Sequence, residues 1–200
     1  WRRLSGVLMS ASLAIVVLGY QVPGIVASAS VPKDWVIAQC DVGQGDALLI
    51  RTAERTILID TGKYPEKLSA CLRFLGVDHL DLAIISHFDA DHVGAWPVIA
   101  DRVEQVWMGP ILEREHADIA GALESAGATV LQVSAGTSLE VGDYRLRVLW
   151  PPTQSFVDPG NDSSVVIAVE GAPGCESCLS AVFLGDLGQK PQRIVMGRED

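Results

Sequence analysis

The chain reads as a mixed α/β layered domain preceded by one membrane-spanning helix. Three observations carry that expectation. An uncharged run extends from Leu4 to Val26, strand, helix and strand patterns alternate up to Gly127, and the chain is mostly β from Thr129 onward. Of its 200 residues 48% are hydrophobic and 20% charged, a globular balance rather than a disordered one. About 170 residues follow the apolar run, enough to bury one core. A formal net charge of −10 excludes a surface that attracts nucleic acid by bulk charge. A phosphate-containing substrate would need bound cations or a local basic patch.

The first element is the run LSGVLMSASLAIVVLGYQVPGIV, Leu4 to Val26. It matches the roughly 20 apolar residues that cross a bilayer as a helix. Pro23 lies near its far end, where a membrane helix tolerates it. A signal peptide is the alternative, with Arg2 and Arg3 as its basic region and Ala27 to Ser30 as the small residues of a cleavage site. The length of the run favours the spanning helix, and so does the start at Trp1, which suggests a piece cut from a longer protein. Arg2 and Arg3 put the start of the helix on the cytoplasmic side, so the domain would face outward. Residues 1–30 are thus expected to form the helix and linker, and residues 31–200 the domain.

Within the domain, Trp35 to Cys40 reads as a strand, followed by the turn Gly43-Gln44-Gly45-Asp46. Ala47 to Arg51 and Thr56 to Asp60 are strands around a polar connection. Glu66 to Leu75 fits a helix with Leu68, Leu72 and Leu75 on one face and Gly76 at its end. Leu82 to Ser86 reads as a buried strand, and His92 to Ala100 as a short helix in which Pro97 is awkward. Val103 to Met108 is a strand and Glu113 to Ser125 a helix. Four strands complete the pattern: Thr129 to Val133, Tyr144 to Trp150, Val165 to Glu170 and Leu179 to Leu184. No internal repeat or low-complexity segment is present.

The chemistry concentrates in Ser86-His87-Phe88-Asp89-Ala90-Asp91-His92. Four potential ligands, His87, Asp89, Asp91 and His92, directly follow an apolar strand, and a rigid strand end can aim them into one pocket. Imidazole and carboxylate together suit Zn²⁺, Mn²⁺ or Fe, and alternate positions can serve two ions. The competing reading is a solvated acidic turn with incidental histidines. Two further apolar strands end in an aspartate: Asp60, in Asp-Thr-Gly, and Asp186, in Gly-Asp. A carboxylate at a buried strand end must be hydrogen-bonded or lie near a cation. A turn-initiating aspartate is the bland alternative for Asp60.

In this order the signals resemble the metallo-β-lactamase superfamily, whose second motif is His-x-His-x-Asp-His. The match here is His87-x-Asp89-x-Asp91-His92, with Asp89 in place of the second His. Cys40-Asp41-Val42-Gly43-Gln44-Gly45-Asp46-Ala47, the stretch Ser86 to Gly94, and Asn161 to Val166 are similar to the C-terminal domain of the ComEC family. That family comprises polytopic membrane channels for DNA uptake in natural competence.

The resemblance implies an αβ/βα sandwich with its site at one edge between the sheets, preceded by the last helix of a channel. It implies two divalent ions, zinc or manganese, and hydrolysis by a metal-activated hydroxide. His87 and Asp89 would hold one ion, Asp91 and His92 the other, with Asp186 bridging. Asp60 would orient a ligand from behind, and Asp46 would line the same edge. DNA is the implied substrate, the upstream channel the implied partner, and the extracytoplasmic side of a bacterial cell membrane the implied location. The superfamily's later metal-binding histidines have no counterpart, since no His follows His116. The domain is therefore expected to be incomplete at its C-terminus. A hydrolase of another ester or amide on the same fold, and a non-catalytic metal or nucleic-acid binding module, are the alternatives.

The remaining residues are given bland roles. His79 and His116 are expected at the surface, and Trp107, Tyr144 and Trp150 in the core. Arg145 and Arg147 alternate on what reads as a solvated strand face. Cys175 and Cys178 have the spacing of a half zinc knuckle or redox pair, but without a second such pair a local disulfide is the simplest reading. Free thiols are favoured for Cys40 and Cys71, with a second bridge as the alternative.

Overall fold

Aliphatic and β-branched residues fall in short runs between turn formers, and the central runs become strands buried on both faces. The computed structural model describes residues 31–52, 54–153, 157–175 and 178–197. The apolar run from Leu4 to Val26 lies outside them, and among the described residues no helix is long and apolar enough to cross a membrane.

The first sheet is ordered β1-β2-β3-β4-β5-β6. Its strands are β1 (Ile37–Gln39), β2 (Leu48–Arg51), β3 (Thr56–Ile59), β4 (Leu80–Ile85), β5 (Val103–Met108) and β6 (Thr129–Gln132). β1 to β3 are antiparallel, and β3 to β6 are parallel. The parallel crossovers carry helices α1 (Pro65–Leu75) and α3 (Arg114–Ser125), and between them the one-turn helix α2 (Ala90–Val93) with a 3₁₀ turn at Trp96–Val98. The second sheet is antiparallel, in the order β10-β9-β8-β7. It comprises β7 (Ser138–Val141), β8 (Tyr144–Trp150), β9 (Val166–Gly171) and β10 (Ala181–Phe183), and helix α4 (Gln189–Met196) follows.

Alternation along the strands builds the layers. Leu49, Leu58, Ala83, Ile85, Val106 and Met108 face Leu68, Leu72, Ile119 and Leu123 of the helices. Their neighbours Ile50, Ile57, Ile59, Leu82, Ile84 and Trp107 face Tyr144, Leu146, Val148, Ile167 and Val169 of the second sheet. Trp150 and Val166 cover the outer side of that sheet with Leu187 and Val195. The result is the αβ/βα sandwich.

Several expectations change. The helix expected from His92 to Ala100 breaks at Gly94, and Pro97 is accommodated within the 3₁₀ turn that follows. β7 and α4 have no counterpart in the sequence reading. β7 is short and polar, with Leu139 and Val141 facing the core between Ser138 and Glu140. The expected strand from Leu179 to Leu184 contracts to Ala181–Phe183. His116 is buried, not exposed, because its ring stacks on Phe88 with centroids 3.9 Å apart. Trp107, Tyr144 and Trp150 are core residues as expected, and His79 is exposed. Arg145 and Arg147 pair with Glu140 and Glu170 on the solvated face.

Cys175 and Cys178 form the local bridge, but Cys40 and Cys71 are also bonded rather than free. The end of β1 packs on α1 there, bringing the two Cα atoms to 5.7 Å, within disulfide reach. Replacing Cys71 with alanine should lower stability by about 2–4 kcal/mol, given the length of the loop closed. Urea unfolding of both proteins measures this, and an unchanged midpoint would refute it.

Candidate metal centre

β3 and β4 are parallel neighbours with Ile59 opposite Ile84, so the chain leaves both strands at the same edge. Asp60 and Ser86 are the first residues past those ends, and they meet. Asp60 is 1% exposed and accepts three hydrogen bonds. The Ser86 N–H reaches Oδ1 at 2.7 Å, the Ser86 hydroxyl reaches Oδ2 at 2.7 Å, and His92 Nδ1 reaches Oδ2 at 2.8 Å. Such donors compensate a carboxylate withdrawn from water. Asp60 has a φ of 58°, a left-handed conformation that Asp tolerates better than most residues.

His92 sits on α2, and its carbonyl oxygen accepts the Thr61 N–H at 2.7 Å and the Thr61 hydroxyl at 3.0 Å. The Asp-Thr-Gly segment thus grips this histidine at both ring and backbone. His87 is fully buried. Its Nδ1 lies 3.0 Å from Ser86 Oγ and 3.4 Å from Ser164 Oγ, whereas its Nε2 is buried without a hydrogen-bond partner. The two imidazole centroids are 4.3 Å apart.

Asp186 follows β10 on the other sheet, and its Oδ1 lies 3.5 Å from His92 Nε2. His87, His92 and Asp186 each offer an atom within 4.8 Å of the others. Gly185 makes this approach possible. It has a φ of 54°, and a Cβ there would stand 2.9 Å from Ser86 Cβ. An orphaned buried imidazole nitrogen, a second imidazole and a carboxylate converging from two sheets fit a divalent cation.

The other expected residues take different places. Asp89 is half exposed, with Oδ2 3.6 Å from His87 Nε2. Asp91 is outside the group of three, and its Oδ2 accepts the Gln44 amide at 3.0 Å. The turn that carries Gln44 lies so close that a Cβ on Gly45 would overlap the Asp91 carbonyl oxygen. Asp46 is exposed and accepts from Gln39 Nε2 at 3.3 Å. With Asp60, Leu184 and Gly185 it lines a cleft of about 230 Å³ rather than joining the cluster. Asp162 is used structurally, since its Oδ1 accepts the Gly188 N–H at 3.1 Å. A second grouping, His79, Asp81 and Glu104, lies near the surface, where Asp81 is already engaged by Arg55 and the Thr56 N–H.

Ser86, Ser164 and Gln44 all lay inside stretches noted in the sequence. Nothing in their residue type marked them as partners of His87 and Asp91. For His116, the partial apolar pattern of α3 was the available sign.

The two imidazoles differ in charge. Burial lowers the pKa of His87, and the neighbouring His92 lowers it further. Burial pulls His92 the same way, but the hydrogen bond and charge of Asp60, with Asp186 and Asp91, outweigh it and raise the pKa to about 9. In the metal-free protein His87 is thus neutral and His92 cationic at neutral pH.

Residues 40–187 match the model of the metallo-beta-lactamase superfamily. ComE operon protein 3 of Bacillus subtilis (strain 168) is 26% identical over 182 residues, covering 78% of this chain and 22% of that protein. Competence protein ComA of Neisseria gonorrhoeae is 39% identical over 62 residues, covering 30% of this chain and 9% of that one. The chain therefore spans less than a quarter of the length of the curated relatives it matches. Among solved structures, Rm3 metallo-beta-lactamase aligns with a TM-score of 0.52 at 17% identity, over 74% of this chain and 58% of that one. The metallo-beta-lactamase fold protein YhfI from Bacillus subtilis aligns at 0.51 and 12% identity, over 70% and 54%. At those identities the likeness shows the fold alone.

The raised pKa of His92 gives a signed expectation. Its stabilising ion pair is fully present below the ordinary histidine pKa and is lost as pH rises through about 9. Metal-free protein should therefore lose stability between about pH 6.5 and 9, by up to about 3 kcal/mol. Asp60→Asn should flatten that slope and bring the NMR-titrated pKa of His92 down. A variant with the wild-type slope would show that Asp60 does not hold the charge.

Proposed function

The chain belongs to the metallo-β-lactamase superfamily, and from that premise we propose that it is a metal-dependent hydrolase domain cleaving DNA phosphodiesters within a membrane DNA-uptake protein. The convergence of His87, His92 and Asp186, with His87 Nε2 buried and free of any hydrogen bond, carries the hydrolase reading. His87 and Asp89 would hold one divalent ion, His92 and Asp91 a second, and Asp186 would stand between them. Zinc or manganese suits this mixture of imidazole and carboxylate. Bound ions would activate a water molecule and neutralise charge on the phosphoryl oxygens.

The chain's own residues organise that chemistry. Asp60 would orient both histidines from behind, Gln44 would steady the Asp91 carboxylate, and Asp46 would border the cleft by which substrate reaches the edge.

DNA is supported as substrate by the competence proteins to which the chain is similar. The acidic net charge does not oppose it, since an anionic substrate would meet cations at the site. Residues 1–30 would form the membrane helix and residues 31–200 the hydrolase domain, with the rest of the channel as its partner. Two disulfides with no free cysteine among the described residues favour an oxidising location, hence the extracytoplasmic side.

Purified protein loaded with zinc or manganese should cleave labelled single-stranded DNA and leave a thioester intact, and chelation should abolish cleavage. Asp91→Ala, His92→Ala and Asp186→Asn should each lower metal content by mass spectrometry and remove activity with it. Metal binding without cleavage of either substrate would make this a binding module. Thioester turnover would make it a hydrolase of another class.

A further inference from the structure

The surroundings of His87 decide which of its nitrogens carries the proton. Two hydroxyl oxygens flank Nδ1, Ser86 Oγ at 3.0 Å and Ser164 Oγ at 3.4 Å. A hydroxyl has one hydrogen to donate and two lone pairs with which to accept. The Ser86 hydrogen is committed to Asp60 Oδ2 at 2.7 Å, and the Ser164 hydrogen to the Asn161 carbonyl at 2.7 Å. Both partners can only accept, and both bonds are shorter than the contacts to the imidazole, so neither hydroxyl turns its hydrogen to His87. Each is left able only to accept, which requires a hydrogen on Nδ1. At the other end of the ring Nε2 is buried and makes no hydrogen bond, the Asp89 Oδ2 at 3.6 Å lying beyond hydrogen-bond reach.

We infer that Ser86 and Ser164 are positioning residues that lock His87 in its Nδ1–H tautomer and so present Nε2 as the ligand nitrogen. The stronger contact, Ser86, links Asp60 to His87 through one hydroxyl, while Asp60 holds His92 directly. Ser164 reaches the same ring from the segment before β9, so both halves of the sandwich contribute. The metal consequence rests on the hydrolase reading above. The tautomer does not, because it follows from hydrogen bonds present without an ion.

The test uses the whole chain, metal-free and mildly alkaline, where the neutral ring shows its tautomer in the imidazole nitrogen shifts by NMR. His87→Gln identifies the signal by its loss. The wild type should show His87 as Nδ1–H. Ser86→Ala should populate the Nε2–H form and weaken zinc binding about 10-fold or more, the range seen when the partner of a ligating histidine is lost. Ser86→Thr, which keeps the hydroxyl, should retain the wild-type tautomer and affinity. A wild-type His87 in the Nε2–H form overturns the inference without recourse to any variant. So does a Ser86→Ala, Ser164→Ala double variant with unaltered tautomer and affinity. An Nδ1–H wild type that binds no metal upholds the lock and overturns the hydrolase reading instead.

Discussion

One buried carboxylate, that of Asp60, organises the functional edge of this domain. Burying a charge is costly unless hydrogen bonds replace the lost water, and Asp60 receives them from Ser86 and His92. Those donors come from either end of the segment that carries the candidate ligands, so one compensation shapes the whole loop. The parallel pairing of β3 and β4 makes this possible by delivering both segments to the same edge. The hydrophobic layers beneath keep the strand ends in register. The site is thus a consequence of sheet topology, brought to detail by one charge.

Much of the fold was legible because its signals are local. Runs such as Leu82 to Ile85, Val103 to Met108 and Tyr144 to Trp150 declare strands by their own composition, and Gly76 ends α1 where a left-handed residue is needed. β7 and α4 were illegible because their apolar residues are few and their burial depends on partners distant in the chain. The Cys40–Cys71 bond was illegible for the same reason, since spacing along the chain says nothing about the docking of β1 on α1.

The site divides along the same line. The cluster from His87 to His92 announced itself by density of ligand types. Asp60 and Asp186 stood out through their place at strand ends. What the pattern could not show is which oxygen or nitrogen each residue presents. Asp91 engages Gln44, and Asp46 turns toward Gln39. Such pairings depend on a glycine turn that approaches within contact of another loop's backbone, a relation no local pattern records.

The Cys40–Cys71 bridge has a dynamic corollary. It closes a covalent ring that contains β2, β3, Asp60 and most of α1, but leaves out the loop from His87 to His92 and the turn at Asp186. Ring closure limits the ways in which the enclosed segment can detach. Sub-global openings, the fluctuations that hydrogen exchange detects, then fall mainly to the chain outside the ring. Of the two carboxylates at the edge, Asp60 thus lies within the covalently closed stretch of chain and Asp186 outside it.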